Sequence, residues 1–326
     1  MADLFSFKGK RIWVAGETGM VGRAIIRALG NCDCTILRAP HAALDLTNQH
    51  ATYSWLHHNK PDVVFLAAAK VGGIGANNSY PADFLRDNLS IAQNVIEGAY
   101  RANVQKLLFL GSSCIYPKMA QQPIREEALM TGPLEPTNEA YAIAKIAGLK
   151  MCEMYRRQYG ASFIAAMPTN LYGPYDRFDA ERSHVIPAMM MKYKKAMECG
   201  DRSVCVWGSG AALREFLHVD DLARALIVMM ERYDAAMPIN IGSGEDLSIA
   251  SLAHLIKDVT GYTGEIEFDA SKPDGTQRKL LDSSRMRALG WSPTITLSDG
   301  LSQTWDWYSK REFNLPEGQS YASLGM

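Results

Sequence analysis

Tyr141 and Lys145 stand four positions apart in a stretch whose pattern predicts a helix running to about residue 159. That spacing puts a phenol and an ammonium on one helix face. A cation so placed is expected to favour phenolate over phenol and lower the tyrosine pKa. Upstream, the apolar run Leu107-Leu108-Phe109-Leu110 reads as a buried parallel strand that Gly111 stops. Ser112 follows at the strand end, where its hydroxyl can bond the same substrate oxygen. These groups suit the movement of a proton on or off an oxygen while a hydride moves at the attached carbon. A Tyr-x-x-x-Lys pair also arises by chance on solvated helix faces, so its weight rests on the rest of the chain.

The elements that would position this chemistry begin near the N-terminus. Lys10-Arg11-Ile12-Trp13-Val14-Ala15 reads as a strand, and Gly16-Glu17-Thr18-Gly19-Met20-Val21-Gly22 leads into a helix ending near residue 29. Gly16 allows a sharp turn, Gly19 admits a pyrophosphate close to the backbone, and Gly22 lets helix pack on strand. The turn, with Thr18, Met20 and Val21, would then present a helix N-terminus to phosphates. A second strand over 34–37 ends in Arg38, and no Asp or Glu follows until Asp45. An acidic residue at this strand end would bond a ribose 2′-hydroxyl, whereas an arginine suits a 2′-phosphate. The expected cofactor is therefore NADP(H) rather than NAD(H).

A third strand over 63–66 enters Ala67-Ala68-Ala69-Lys70-Val71-Gly72-Gly73-Ile74, whose small residues allow a ligand close approach. The segment continuing through Asn77-Asn78 reads as a substrate-side loop. A helix over 81–102 carries Asn88, whose amide suits either the site or a backbone cap. A long proline-bearing loop after Ser112 is of the kind that carries function. Asn138 is placed to cap the helix of Tyr141 and Lys145. A strand over 162–167 ends in Pro168-Thr169-Asn170-Leu171-Tyr172-Gly173-Pro174. Strands alternating with helices predict an α/β fold, a Rossmann-type doubly wound parallel sheet covered on both faces. Leu110, Gly111, Pro168, Asn170 and Leu171 then fall at or just past strand ends, where such sheets hold their cofactor.

The dinucleotide-binding part is thus expected over 1–172, with a return to it near 215–245. From about residue 173 the alternation fades into short elements, as in a smaller C-terminal substrate-binding lobe over 173–313. A helix opens after Ser183-His184 and carries Lys192, Lys194 and Lys195. A strand after Arg214 leads into a helix expected to be capped by Asp220. Pro273-Asp274-Gly275 begins a loop with Arg278 and Lys279. The tail, 314–326, is expected to be poorly ordered.

Composition narrows the setting. A formal net charge of -1 gives no reason to expect a nucleic-acid or anionic membrane partner. No run of about 18 apolar residues is present, so no membrane span is expected. The N-terminus lacks a basic segment followed by an apolar one. The six cysteines include no Cys-x-x-Cys and no zinc-like pairing with histidines, so no metal site is expected and a reducing cytoplasm is.

The longer motifs carry a resemblance. They are Ala67 to Ile74, Leu110-Gly111-Ser112-Ser113-Cys114-Ile115-Tyr116-Pro117-Lys118, Leu134-Glu135-Pro136-Thr137-Asn138-Glu139, Tyr141 to Lys145, Met167 to Pro174, Ser183 to Pro187, Val206-Trp207-Gly208-Ser209-Gly210, Arg214 to Asp221 and Phe268 to Gly275. With them the chain resembles the extended short-chain dehydrogenase/reductase superfamily of sugar-nucleotide enzymes, and within it the epimerase/reductases of GDP-4-keto-6-deoxy-D-mannose. The resemblance implies epimerisation at carbons 3 and 5 of the sugar, followed by NADPH-dependent reduction at carbon 4. It places a base and an acid at Cys114 and His184, the proton donor at Tyr141, the tuning cation at Lys145 and a keto-oxygen contact at Ser112. His184 would also border the cofactor. A thiolate near a cation is a competent carbon base, and histidine is a natural acid near neutral pH. Read singly, a cysteine after a strand is core filling and a histidine before a helix is a cap.

The same resemblance assigns the nucleotide sugar to Lys192, Trp207, Arg214 and Asp274, with Lys279 a weaker diphosphate candidate. Arginine and lysine suit a diphosphate, and Trp207 offers a stacking face. Lys192 competes with a bland reading as one charge in a solvated run. Glu17-Thr18 departs from the family, some of whose members place a basic residue there, which leaves more of the 2′-phosphate to Arg38. A sister reaction on another GDP-4-keto-deoxy sugar, such as a heptose, is the alternative. A homodimer through the helices near 81–102 and 138–159 is also implied.

Overall fold

The computed structural model describes residues 3–179, 183–272 and 274–311. In its first half the apolar runs become strands and the intervening segments helices. The order is β1 (Lys10–Ala15), α1 (Met20–Leu29), β2 (Cys34–Leu37), α2 (Gln49–Asn59), β3 (Val63–Leu66), α3 (Ile74–Ser79), α4 (Pro81–Arg101), β4 (Lys106–Leu110), α5 (Glu139–Tyr159) and β5 (Phe163–Pro168). There follow β6 (Asn170–Tyr172), α6 (Val185–Cys199), β7 (Ser203–Trp207), β8 (Leu213–His218), α7 (Val219–Arg232), β9 (Ile239–Ile241), β10 (Asp246–Ser248), α8 (Ile249–Thr260), β11 (Glu265–Asp269), β12 (Arg278–Lys279), α9 (Ser284–Ala288) and α10 (Leu297–Ser309).

One parallel sheet takes the order β2-β1-β3-β4-β5-β9. Its central strands are mostly apolar because both faces are covered. Alternate residues divide between the faces. Ile12, Val14, Phe65, Leu108 and Ile164 pack with residues of α1 and α7, while Trp13, Val64, Leu107, Phe109 and Phe163 pack with residues of α2, α4 and α5. This is the expected doubly wound α/β fold. The strand order reverses between β1 and β3, which opens a crevice beyond their carboxyl ends.

The remaining strands form smaller sheets. β8 pairs with β6 and β12 in parallel and with β10 antiparallel, and β7 pairs with β11. Tyr172, Met190, Tyr193, Val206, Phe216, Leu252 and Leu301 fill a third core beside them. A buried carboxylate joins these strands to the large sheet. Glu215 of β8 accepts hydrogen bonds from the backbone N–H groups of Gly244 (2.7 Å), just past β9, and Leu281 (3.0 Å), just past β12. Burial raises the Glu215 pKa, and those bonds oppose the rise only in part while giving the buried oxygens their partners.

Several local expectations are corrected. The segment expected as a loop through Asn77-Asn78 is helical, α3, and Asn77 Nδ2 donates to the Gly72 and Gly73 carbonyls at its start. α7 is capped by His218, whose ring accepts from the Asp220 N–H, and Asp220 in the first turn pairs with Arg27. Asn138 occupies the N-cap position of α5 but makes no capping bond with its side chain. Arg278 and Lys279 form a strand rather than a loop. The expectation for the tail, 314–326, lies outside the described residues, as does Pro273. Among the described residues no helix is long and apolar enough to cross a membrane.

Candidate active site

The crevice at the end of β1 is shaped by two glycines. Gly16 has φ +93°, and a Cβ there would stand 2.8 Å from the Ala68 nitrogen at the end of β3. A Cβ on Gly22 would stand 2.1 Å from the Gly16 carbonyl oxygen. Both positions therefore close the turn only as glycine. Gly19 is different, since its nearest neighbour would be 3.5 Å away and space lies open in front of it. It is the N-cap of α1 and offers no side chain, so the first N–H groups of the helix, at Met20 and Val21, are left for a ligand.

Beside this turn lies a cavity of about 290 Å³ lined by Glu17, Thr18, Arg23, Ile26, Arg27, Arg38 and Tyr175. Arg38 is 59% exposed and reaches within 3.3 Å of the buried Glu17 carboxylate. Arg23 donates to the Thr18 carbonyl (2.9 Å) and lies 4.5 Å over the Tyr175 ring. An open helix N-terminus and an arginine-lined cavity at the end of β2 fit the pyrophosphate and the 2′-phosphate of an NADP-type dinucleotide. Arg23 and Tyr175 escaped the sequence reading. The arginine follows Gly22 directly, a signal that was legible, but Tyr175 is delivered by a loop after β6 that no spacing announces.

At the end of β4 the remaining polar groups converge. Lys145 of α5 is buried, and its ammonium donates to the Leu110 carbonyl (2.7 Å) and lies 5.8 Å from the Tyr141 ring centre. Burial lowers the Lys145 pKa to about 8. Tyr141 packs edge-on to Phe84, with ring centroids 6.4 Å apart, and its hydroxyl bonds Ser112. The expectation of a lowered tyrosine pKa is not met. Burial raises it, the charge of Cys114 raises it further, and the bond with Ser112 only partly opposes them. The cation itself is weakened by the same burial, so Tyr141 holds its proton and is equipped to donate it.

The Cys114 N–H donates to Ser112 Oγ (3.2 Å), which fixes the turn that presents the thiol. Lys279 of β12 brings its ammonium to 3.8 Å from the Cys114 sulfur. Gly111 donates to the Ala166 carbonyl (2.8 Å), Pro168 ends β5, Asn170 donates to the Glu215 carbonyl (2.8 Å), and Leu171 of β6 pairs with Leu217 of β8. These residues thus line the ends of neighbouring strands. Asn88 is accounted for by the backbone, since its amide bonds Lys70 N–H and the carbonyls of Lys70 and Phe84.

His184 comes from elsewhere, as the N-cap of α6, and no hydrogen bond to a described residue holds its imidazole. Its residue is exposed to solvent, yet the protein around the ring lowers its pKa by desolvation, which disfavours the charged form. Ser112, Cys114, Tyr141 and Lys145 are thus tied together by contacts, and His184 is not tied to them by any.

The four residues expected at the nucleotide sugar fall into two contacting pairs, Lys192 with Trp207 and Arg214 with Asp274. Trp207 is 67% exposed, with the Lys192 and Lys272 ammoniums 5.3 and 5.7 Å from its ring centre. Asp274 accepts from the Ser209 N–H and hydroxyl, both at 2.7 Å. Arg214 donates to the Asp274 carbonyl (3.1 Å). Lys192 also donates to the Cys205 carbonyl (2.9 Å), whereas Lys194 turns away toward Glu198 and Tyr308. Lys192 is therefore separated from the solvated run in which it sits.

Known proteins share this chain and fold. GDP-L-fucose synthase 1 of Arabidopsis thaliana is 56% identical over 310 residues, covering 95% of this chain and 96% of that protein. The crystal structure of a GDP-L-fucose synthetase from Naegleria fowleri bound to NADP superposes with a TM-score of 0.87 at 30% identity, covering 94% of this chain and 96% of that one. A GDP-6-OMe-4-keto-L-xylo-heptose reductase from C. jejuni superposes with a TM-score of 0.86 at 35% identity, covering 92% and 98%. Residues 12–242 match the NAD dependent epimerase/dehydratase family, and the chain belongs to that family.

Proposed function

We propose that this chain converts GDP-4-keto-6-deoxy-D-mannose to GDP-L-fucose, epimerising carbons 3 and 5 and then reducing carbon 4 with NADPH. The observation that carries this reading is the placement of a thiol, Cys114, on the same turn as Ser112 and against Tyr141. A plain reductase has use for the hydroxyls and Lys145, whereas a thiol beside them adds a carbon base. Cys114 takes a proton from carbon 3 or 5, both acidified by the 4-keto group. The C–H electron pair moves onto the keto oxygen as an enolate, which the hydroxyls of Ser112 and Tyr141 hold. His184 is assigned the return of a proton from the other face; its charged form becomes more favourable beside an enolate and a diphosphate.

When bound, NADPH supplies a hydride for carbon 4. Gly16, Gly19 and Gly22 would seat its pyrophosphate with Thr18, Met20 and Val21, while Leu110, Gly111, Pro168, Asn170, Leu171 and His184 would border its nicotinamide end. Lys145 would bond the nicotinamide ribose, and Tyr141 gives its proton to the carbon 4 oxygen. Lys192, Trp207, Arg214 and Asp274 are assigned to the GDP moiety. We assign residues 1–172 to cofactor and 173–313 mainly to sugar nucleotide. A homodimer across α4 and α5 is supported by Tyr100, Tyr159, Ile143 and Met154, large apolar residues exposed on these helices. Free cysteines at all six positions are in keeping with work in the cytoplasm.

Turnover of GDP-4-keto-6-deoxy-D-mannose in deuterated water tests the assignment. NADPH oxidation with deuterium at carbons 3 and 5 of the product is the expected outcome. Reduction without deuterium at those carbons would make the chain a plain 4-reductase. The second reading, a sister reaction on a GDP-4-keto heptose, is favoured by the likeness to the C. jejuni reductase. It would gain if the heptose substrate were turned over much faster.

Arg38→Ala should raise the Kd for NADPH about 10–100-fold, the value of one charge-assisted phosphate contact. The Kd for NADH should move less than about threefold, since that cofactor lacks the 2′-phosphate. Fluorescence titration of both reduced cofactors measures this directly.

A further inference from the structure

The mechanism requires Cys114 as a thiolate, and a thiolate in a half-buried cleft needs a cation. The expected cation of the site, Lys145, is committed elsewhere. Its ammonium bonds the Leu110 carbonyl and lies under Tyr141. The group that does reach the sulfur is the Lys279 ammonium, 3.8 Å away, from a strand far along the chain.

The placement of Lys279 follows from its register. β12 runs beside β8 with Lys279 paired to Arg214. Alternation along the strand turns the neighbouring Arg278 the other way, where it pairs with Asp246. Arg214 is turned to the Asp274 carbonyl, and among the described residues no carboxylate pairs with Lys279. Among the described residues, the titratable groups shown interacting with Cys114 are Lys279 from β12 and Tyr141 from α5. One can supply a compensating charge, and the other is a protonated phenol that cannot.

We infer that Lys279 is a positioning residue for the epimerisation, holding the Cys114 side chain as the thiolate that removes the sugar's carbon-bound proton. In that step the C–H bond breaks, an S–H bond forms, and the electron pair is carried by the enolate. The positive charge of Lys279 is unchanged throughout. The inference rests on the function proposed above for what Cys114 does, but the contact between the Lys279 ammonium and the Cys114 sulfur is present without substrate and can be tested alone.

The test follows alkylation of Cys114 by iodoacetamide, quantified on its own peptide by mass spectrometry, in wild type, Lys279→Met and Lys279→Arg. The midpoint of the rate against pH should rise by about one to two pH units in Lys279→Met and return to within about half a unit of wild type in Lys279→Arg. If Lys279→Met loses its cooperative melt, Lys279→Gln replaces it. Exchange of deuterium into carbons 3 and 5 near neutral pH should fall about 10–100-fold in the uncharged variant and recover as pH rises. KM should stay within about threefold of wild type. An unmoved alkylation midpoint overturns the inference. So does a rise in KM with no change in the pH profile, which would make Lys279 a phosphate contact only. Because alkylation needs no sugar, a wrong substrate leaves that result standing, and a wrong role for Lys279 leaves the substrate standing.

Discussion

Tyr141→Phe is expected to lower the rate of NADPH oxidation by about 10²–10⁴-fold, the usual worth of a positioned proton donor. Deuterium exchange at carbons 3 and 5 should persist within about tenfold of wild type. The substitution removes one oxygen and keeps the ring that packs edge-on against Phe84. Burial and the charge of Cys114 hold the phenol in its protonated form, so the lost group is an acid rather than a base. Reduction creates an alkoxide that must be protonated as it forms. The enolate needs less, because the Ser112 hydroxyl remains. Loss of exchange together with reduction would mean that the phenol is also required to hold the enolate. Retained reduction would move the proton donor elsewhere.

Lys145 adds a pH dependence to the same step. Its folded pKa is lowered by burial to about 8, so its charge is present below that value and is lost as pH rises through it. The kcat/KM for reduction, which reports groups of the free enzyme, should decline above about pH 8. The slow step in Tyr141→Phe no longer involves this proton donor, so its residual rate should lack that decline.

What could be read before the fold was known divides along a physical line. Contiguous patterns were legible. Leu107 to Leu110 had to be a strand buried on both faces, and Gly16 to Gly22 had to be a turn whose glycines meet backbone at 2.8 and 2.1 Å. The pair Tyr141 and Lys145 lay on one helix face by spacing alone. Contacts between distant segments were not legible. Lys279 meets Cys114, and Tyr175 meets Arg23, only because separate strands and loops converge on one crevice. Electrostatic sign was the other gap. A nearby cation suggested a low tyrosine pKa, but desolvation, which depends on what packs around the ring, outweighs it. Short elements also misled, since the segment through Asn77-Asn78 has loop composition and yet is helical over Ile74–Ser79, with Asn77 satisfying the Gly72 and Gly73 carbonyls that precede it.

Cys114→Ser is expected to reduce deuterium exchange at carbons 3 and 5 by about 10³-fold or more near neutral pH, because a serine hydroxyl stays protonated where a thiol ionises. The change is nearly isosteric, and the backbone bond from residue 114 to Ser112 does not depend on the side chain, so the turn should stand. Reduction is not abolished by the same logic, since Tyr141, Lys145 and Ser112 are untouched. The unepimerised ketone should therefore be reduced slowly, and NMR of the product should show the original configuration at carbons 3 and 5 with no deuterium there. Tyr141→Phe should do the reverse, with exchange but little reduction. One oxygen, at carbon 4, is common to both stages, which is why a single turn and a single helix can serve them. If Cys114→Ser still exchanges within tenfold of wild type, the base lies elsewhere in the crevice, and Lys279 then has no thiolate to hold.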